Sequence, residues 1–551
     1  MKKIFISIFS FIFLVTLSFF STITNNNAIA AIIQILHTND IHSHFDSSDG
    51  NIGTDGTIGS GGIKNLKIKI DQLTKEAKDK NISTLFLDAG DFSEGDLYYL
   101  SERGATSFKI LNQLGINCTV IGNHDTHMGI DRMEEIFAKE VVPNFPILAT
   151  NLYIPEEYVN IKKVIKPYLE LNVGGVKIAI VAPTTDERMF SWIFNPAVIE
   201  KPIKSVQEYI PYLRDRNDVI IALSHLGTKV DKKLALKVPE IDLIIGGHTH
   251  TTLKEPLYVT VKDPDIKGAK KEIPIFHAGA FVESIGKLII DVTTDKYEKT
   301  YVKVLSYELI ANTNSTSSTT STTNTTNSSP AINNITTILN EAKTSLSSKY
   351  PYGPLDEIIG HNSVILKKDS LEENSPLDLF MADSMLDAAE GDLAIHISWA
   401  ATEIWRKTGN ITRADLFNFF PRVMGMYEDA DGKIKISGGN LYRARVKGGY
   451  IRSLVQLFVQ FHQTYPVYFS GITFKLRNAV LGSKVHPYDI RVDGRRVLLG
   501  RYYDVILPEL YIRAGFAMSD IFKVILKDPE DTGINIWQAM EAKLKRDKVI
   551  K

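Results

Sequence analysis

Five short polar blocks stand directly after apolar runs in the first half of the chain: Asp40-Ile41-His42, Gly90-Asp91, Gly122-Asn123-His124-Asp125, Ser224-His225 and Gly246-Gly247-His248-Thr249-His250. Together they carry carboxylates, imidazoles and an Asn carbonyl. Mixed nitrogen and oxygen ligands suit Zn²⁺, Mn²⁺, Fe²⁺ or Co²⁺ better than Ca²⁺. Two such cations side by side lower the pKa of a bound water and neutralise charge on a phosphoryl group. The chemistry expected is metal-assisted hydrolysis of a phosphate ester. A lone histidine after a strand is usually structural, and a lone Gly-Asp is usually a turn. Five blocks in this order, each at a strand end, point to one converging site.

The apolar runs must supply the scaffold. Residues 32–36, 84–87, 118–121, 177–181, 219–223 and 243–245 are short, and several are continuous rather than alternating. Continuous runs are expected of strands buried on both faces. Helical patterns lie between them, at 64–80 and 106–114. Strand followed by helix, repeated, predicts an α/β layered domain over residues 31–312. In such sheets ligands gather at the carboxyl ends of the strands, where these blocks fall.

The chain has 551 residues, too many for one ordinary core, so two domains are expected. A formal net charge of -1 gives no electrostatic reason to expect a nucleic-acid polymer as partner. Residues 1–30 read as a secretory signal peptide: Lys2 and Lys3, an apolar run to Phe20, then Ala28-Ile29-Ala30 as a small-x-small cleavage pattern. An uncleaved anchor is the rival reading. The expected location is the periplasm, the cell surface or the medium. Cys118 is the sole cysteine, so no intramolecular disulfide can form, and its apolar surroundings predict an inert core thiol.

Residues 313–330 are nearly pure Ser, Thr and Asn closed by a proline, a composition expected of a flexible linker. A linking helix is expected over 331–349. From 350 to 551 the texture turns to α+β, with helical patterns at 377–389 and 450–463 and strand patterns at 468–476, 496–499 and 503–507.

The order D-x-H, G-D, G-N-H-D, S-H and G-G-H-x-H resembles the calcineurin-like metallophosphoesterases. Within them the chain is similar to the 5′-nucleotidase/UDP-sugar hydrolase group, starting with residues 35–45, Ile-Leu-His-Thr-Asn-Asp-Ile-His-Ser-His-Phe. The resemblance implies a four-layer αββα catalytic domain, two divalent cations and an α+β 5′-nucleotidase C-terminal domain that binds the substrate. It implies that Asp40, His42 and His250 hold one cation, that Asn123, His225 and His248 hold the other, and that Asp91 bridges them. His124 matches the family's transition-state histidine. The family orients that histidine with an Asp three residues on, but His127 stands there. Asp125, or a carboxylate from elsewhere, is then expected to orient His124, and Asp125 joins it as a catalytic candidate. His44 and His127 could line the site.

Past the linker, residues 354–360, 374–383, 409–416 with Phe420-Pro421, and 468–472 resemble the group's C-terminal frame. Its N-G-G-x-R is replaced by Ser398-Trp399-Ala400-Ala401-Thr402, so the phosphate-facing arginine is missing. The group's G-G-D-G-F/Y survives only as Ala514-Gly515-Phe516. Tyr465 and Phe516 are expected to stack on a base, which aromatic side chains do whatever the base's identity. Trp399, Arg406 and Arg443 complete the expected pocket. The reading is a secreted phosphohydrolase of nucleotides, a 5′-nucleotidase, acting on a small-molecule substrate. Alternatives are a 2′,3′-cyclic-nucleotide phosphodiesterase, a UDP-sugar hydrolase, a thiosulfate-oxidation-type hydrolase, or a surface binding protein without activity.

Overall fold

The computed structural model describes residues 30–46, 62–295, 299–312, 329–364, 375–401, 408–428, 430, 434–461, 466–478 and 485–550. All of the expected signal peptide but Ala30, and nearly all of the Ser/Thr/Asn-rich linker, lie outside them, as do Arg406 and Tyr465.

Two sheets make up the N-terminal part. One has seven strands in the order Thr300–Ala311, Ser284–Thr294, Ala30–Thr38, Ser83–Asp88, Cys118–Val120, Ile147–Leu148 and Ile165–Lys166. The other has six, in the order Leu257–Lys262, Lys270–Phe276, Leu243–Gly246, Val219–Ser224, Val176–Val181 and Tyr168–Val173. The strands that precede the polar blocks run parallel to their neighbours, Ala30–Thr38 to Ser83–Asp88 and Val219–Ser224 to Leu243–Gly246.

Alternation along the strands explains why their apolar runs are continuous. Ile33 and Ile35 of the first sheet share a core with Ile178, Ile221, Leu223 and Ile245 of the second. Ile220, Ala222 and Ile244 turn the other way and pack with Val206 and Ile210 of the helix Pro202–Arg214 and Leu234 of the helix Thr228–Lys237. Leu36 and Phe86 likewise pack with Leu66 and Ile70 of the helix Ile63–Asp79. Both faces of these central strands are covered, which favours apolar residues on each. Gln34 is an exception, its Nε2 donating to the Leu73 carbonyl and Thr84 Oγ1 at 3.1 Å each, and most polar side chains fall at the strand ends. Cys118 lies in the core between the sheets, where burial pushes its thiol up.

The helix Pro330–Lys349 opens with Ser329 accepting a hydrogen bond from Ile332 N–H, a cap that the serine-rich stretch supplies. Its Ile335, Leu339, Ala342 and Leu346 are buried in a core that holds residues of both halves of the chain. No helix among the described residues is long and apolar enough to cross a membrane.

The C-terminal domain is built on a five-stranded sheet, Val467–Ser470, Leu393–Ile397, Tyr502–Pro508, Asn440–Lys447 and Lys527–Asn535, packed with the helices Pro376–Ala389 and Ile536–Asp547. Two strand expectations need correction here. Residues 468–476 form not one strand but two in different sheets, Val467–Ser470 and Ile472–Asn478. Gly471 separates them at φ +77, in a turn where a Cβ would come within 2.5 Å of the Asp392 carbonyl. Residues 496–499 are strand only at Arg496, the end of Arg495–Arg496, after which one bond to the neighbouring strand remains, from Val497 N–H to the Ile490 carbonyl at 3.0 Å.

Candidate active site

All five blocks converge. Asp40 and His42 leave the end of Ala30–Thr38, Asp91 follows Ser83–Asp88, and Asn123 to Asp125 follow Cys118–Val120. His225 follows Val219–Ser224 and His248 and His250 follow Leu243–Gly246, so the site spans the carboxyl ends of both sheets. Ligand atoms of Asp40, His42 and His250 lie within 4.8 Å of one another, as do those of Asp91, His225 and His248. Asp91 stands between the groups, its Oδ2 3.0 Å from His225 Nε2 and 3.7 Å from His42 Nε2. Asn123 joins through its Oδ1, 2.9 Å from His248 Nδ1.

Bringing them together strains the backbone. Asp40, His42, Asp91, Glu94, His248 and His250 all adopt positive φ, between 38° and 80°. Non-glycine residues pay for that conformation, and it concentrates where function requires it. Gly122 permits the closest approach, since a Cβ there would lie 2.1 Å from Asp91 Oδ1.

The hydrogen bonds prepare the rings to act as ligands. His225 Nδ1–H donates to the Ala89 carbonyl at 2.7 Å, and His42 Nδ1–H to the Glu94 carbonyl at 2.7 Å. Each bond fixes the tautomer and leaves the Nε2 lone pair facing the cluster. His42 Nε2 and His250 Nε2 then stand 3.0 Å apart. Asn39 orients Asp40, donating from Nδ2 to Oδ2 at 2.6 Å. Lone pairs facing carboxylates and one another call for positive charge, which a proton or a metal cation can bring. Burial opposes charge on His225, yet Asp91 outweighs it and raises the imidazole to about 10. The donor set and its electrostatics therefore fit divalent cations.

His124 lies beside this cluster, its ring centre 4.7 Å from that of His42. Asp125 does not orient it. The Asp125 carboxylate instead accepts backbone N–H groups of Gly122 at 2.7 Å, Ser93 at 2.8 Å and Asp91 at 3.0 Å, holding the two loops together. The orienting carboxylate is Glu94, fully buried, which accepts from His124 Nδ1. Burial would raise the Glu94 carboxyl, but His124 and Arg422 outweigh it and hold it well below the usual carboxylate range. No spacing rule pointed to Glu94. The one available signal was a charged residue in the turn after Gly90-Asp91. His127 keeps its ring 4.7 Å from that of His124, and His44 packs on Phe281.

The substrate candidates separate. Trp399 is brought to the site: its indole meets Phe190 edge-on at 6.2 Å, and Phe190 lies 5.8 Å from His124. Phe516 sits on the helix Glu509–Met518, which packs against Arg188–Ser191, the turn that carries Phe190. Arg443 is held elsewhere, donating from Nη2 to the Ala389 carbonyl at 2.7 Å at the end of Pro376–Ala389. Arg422, which sequence reasoning passed over, reaches the site instead, with Nη1 3.3 Å from Glu94 Oε2.

Comparison with known proteins agrees with this architecture. Mouse 5′-nucleotidase is 31% identical over 279 residues, 47% of this chain and 46% of the mouse protein, so the chain spans about half the length of the curated relatives it matches. Among solved structures, a 5′-nucleotidase precursor from Thermus thermophilus superposes with a TM-score of 0.73 at 20% identity, covering 94% of this chain and 97% of that one. The sulfate thiohydrolase SoxB from the same organism superposes with a TM-score of 0.67 at 15% identity, covering 94% of each. At these identities both show the fold alone. The family model for calcineurin-like phosphoesterases matches residues 33–252, the stretch that contains every one of the converging blocks.

Proposed function

We propose that the chain is a dinuclear-metal phosphohydrolase of nucleotides, a 5′-nucleotidase, with its catalytic unit at 31–312 and its substrate-binding unit at 350–551. The observation that carries this reading is the convergence of Asp40, His42, Asp91, Asn123, His225, His248 and His250 beside His124. In the proposed set, Asp40, His42 and His250 hold one cation, Asn123, His225 and His248 the other, with Asp91 between them. Bound cations would activate a water and neutralise charge on the phosphoryl oxygens.

The chain's own residues do the rest. Glu94 holds His124 Nδ1–H, which points Nε2 toward the reacting group. Burial pulls His124 down to about 4 despite Asp91 and Glu94, so the ring starts neutral. A phosphoester dianion supplies negative charge that favours protonation of the ring. His124 can then hold a proton at Nε2 and give it to the leaving oxygen as the P–O bond breaks. Phe190 and Trp399 wall the site and keep water from the reacting atoms.

The mouse relative supports a nucleotide as substrate; the altered 398–402 segment leaves UDP-sugars and cyclic nucleotides to be tested against it. Residues 1–30 support export. The deciding experiment is phosphate release over nucleotides, cyclic nucleotides and UDP-sugars with Mn²⁺, Zn²⁺ and Co²⁺, alongside elemental analysis. About two ions per chain and release from nucleoside 5′-monophosphates are expected. Metal-free protein, or no release from any phosphoester, would sink the proposal.

A further inference from the structure

The carboxylate of Glu94 serves both halves of the chain. His124 Nδ1 reaches Oε2 from the N-terminal domain. Arg422 Nη1 reaches the same oxygen at 3.3 Å, and the backbone N–H of Val423 donates to Oε1 at 3.0 Å, both from the C-terminal domain. Asn418 braces the same loop from that side, donating from Nδ2 to Asp96 Oδ2 at 3.1 Å and accepting from Leu97 N–H at 3.0 Å. Arg422 is fixed in turn by Trp399, whose carbonyl accepts from Nη2 at 3.2 Å. Below it lies a buried network: Asp378 accepts from His396 at 2.8 Å and from Ser398 at 2.9 Å, and Tyr511 OH lies 3.1 Å from His396.

We propose that Glu94 is an interdomain catch, a positioning residue that holds His124 in its reacting orientation only while Arg422 and Val423 of the C-terminal domain are seated on the same carboxylate. Two of the three hydrogen bonds to its carboxylate come from that domain, while His127 Nδ1 lies 3.6 Å from the same Oε2 on the N-terminal side. A buried carboxylate stripped of those two bonds loses most of what holds it in place. Seating of the C-terminal domain thereby completes the reacting site. The catalytic consequence rests on the phosphohydrolase reading; the mechanical one does not.

The test has two arms. In the first, spin labels replace Lys204 and Arg496 on the two domains of the full chain, both largely exposed, and the distance distribution is read by pulsed electron resonance. Glu94→Gln and Arg422→Gln should each broaden a single distance into a longer population. An unchanged distribution in both variants would overturn the catch, whether or not the protein hydrolyses anything. In the second, kcat is compared for a nucleoside 5′-monophosphate and p-nitrophenyl phosphate, whose leaving group needs no proton. Glu94→Gln should lower kcat for the nucleotide by about 100-fold and for the nitrophenyl ester by less than about tenfold, with KM nearly unchanged. The double variant should be no worse than Glu94→Gln alone, because Arg422 and Glu94 meet at the same His124 nitrogen, with Arg422 Nη1 3.2 Å from Nδ1, and act as one unit. Multiplying losses would show Arg422 acting independently and remove it from the catch. Wild-type protein inactive on both esters would count against the phosphohydrolase reading, leaving the distance arm to judge the catch.

Discussion

The two halves of the molecule build their shares of the site in different ways. The N-terminal half sets its residues at the ends of parallel strands whose flanks are mostly apolar, so polar chemistry gathers at those ends. The C-terminal half brings Trp399 and Arg422 in from a short turn and the segment after the helix Arg413–Phe419, through packing on Phe190 and hydrogen bonds to Glu94. A strand-end site is anchored by the sheet itself. A packed-in site depends on which partners happen to meet. Removing a residue of the first kind should cost the reaction outright, and one of the second kind should change what the reaction accepts.

The largest effect is expected at Asp91, which stands between both ligand groups. Asp91→Ala should abolish phosphate release and lower the metal content measured by elemental analysis. Retained activity with full metal would move the bridging position elsewhere and break the contrast at its strong end. Asp125→Asn should come next. An amide can accept through only one of its two polar atoms, leaving a backbone N–H among Gly122, Ser93 and Asp91 facing an NH₂ group. The expected cost is about 1–3 kcal/mol in denaturant unfolding. Phosphate release should fall with it, because these loops carry Asp91 and Asn123. A fall in release with stability unchanged would return Asp125 to a direct catalytic role.

This contrast also decides what could be read without coordinates. The strands and the first helices were legible because burial on both faces writes continuous apolar runs, and the blocks were legible because each follows such a run. Glu94 was not, since a single acidic residue in a turn carries no period and its partners come from residues 124, 422 and 423. Arg443 misled for the mirror reason. It lies on the strand Asn440–Lys447, and nothing in the pattern of that strand tells a pocket arginine from one that binds the end of a neighbouring helix. The single strand expected at 468–476 failed at Gly471, where one left-handed residue sends the chain into another sheet.

Smaller effects are expected among the aromatic residues. Trp399→Ala should raise KM for a nucleotide by about tenfold, within the range that base stacking contributes, and leave a small aliphatic phosphoester nearly unaffected. Phe516→Ala should act in the same direction and less strongly, because Phe516 packs with the core and has no described contact with the histidines. Equal effects on both substrates would mean that these rings shape the site as a whole and read no base.

The smallest effect should be at Arg443, where the two kinds of site can be told apart most cleanly. Its guanidinium donates to Ala389 O at the carboxyl end of Pro376–Ala389, where unpaired carbonyls favour a cation. The residues around it are Ala388, Glu390, Glu530, Asp531, Thr532 and Ile534, none of which belongs to the histidine cluster. Arg443→Ala therefore removes one hydrogen bond and part of a helix-end interaction, a loss of about 1 kcal/mol in unfolding. KM and kcat for a nucleotide should stay within about twofold of the parent, since the loss falls on folding and no neighbour of Arg443 reaches the histidine cluster, whereas a tenfold effect would need about 1.4 kcal/mol of lost binding. If KM rose tenfold while unfolding was unaffected, Arg443 would be a pocket arginine after all. The C-terminal half would then place substrate residues on its strands, as the N-terminal half places them at strand ends.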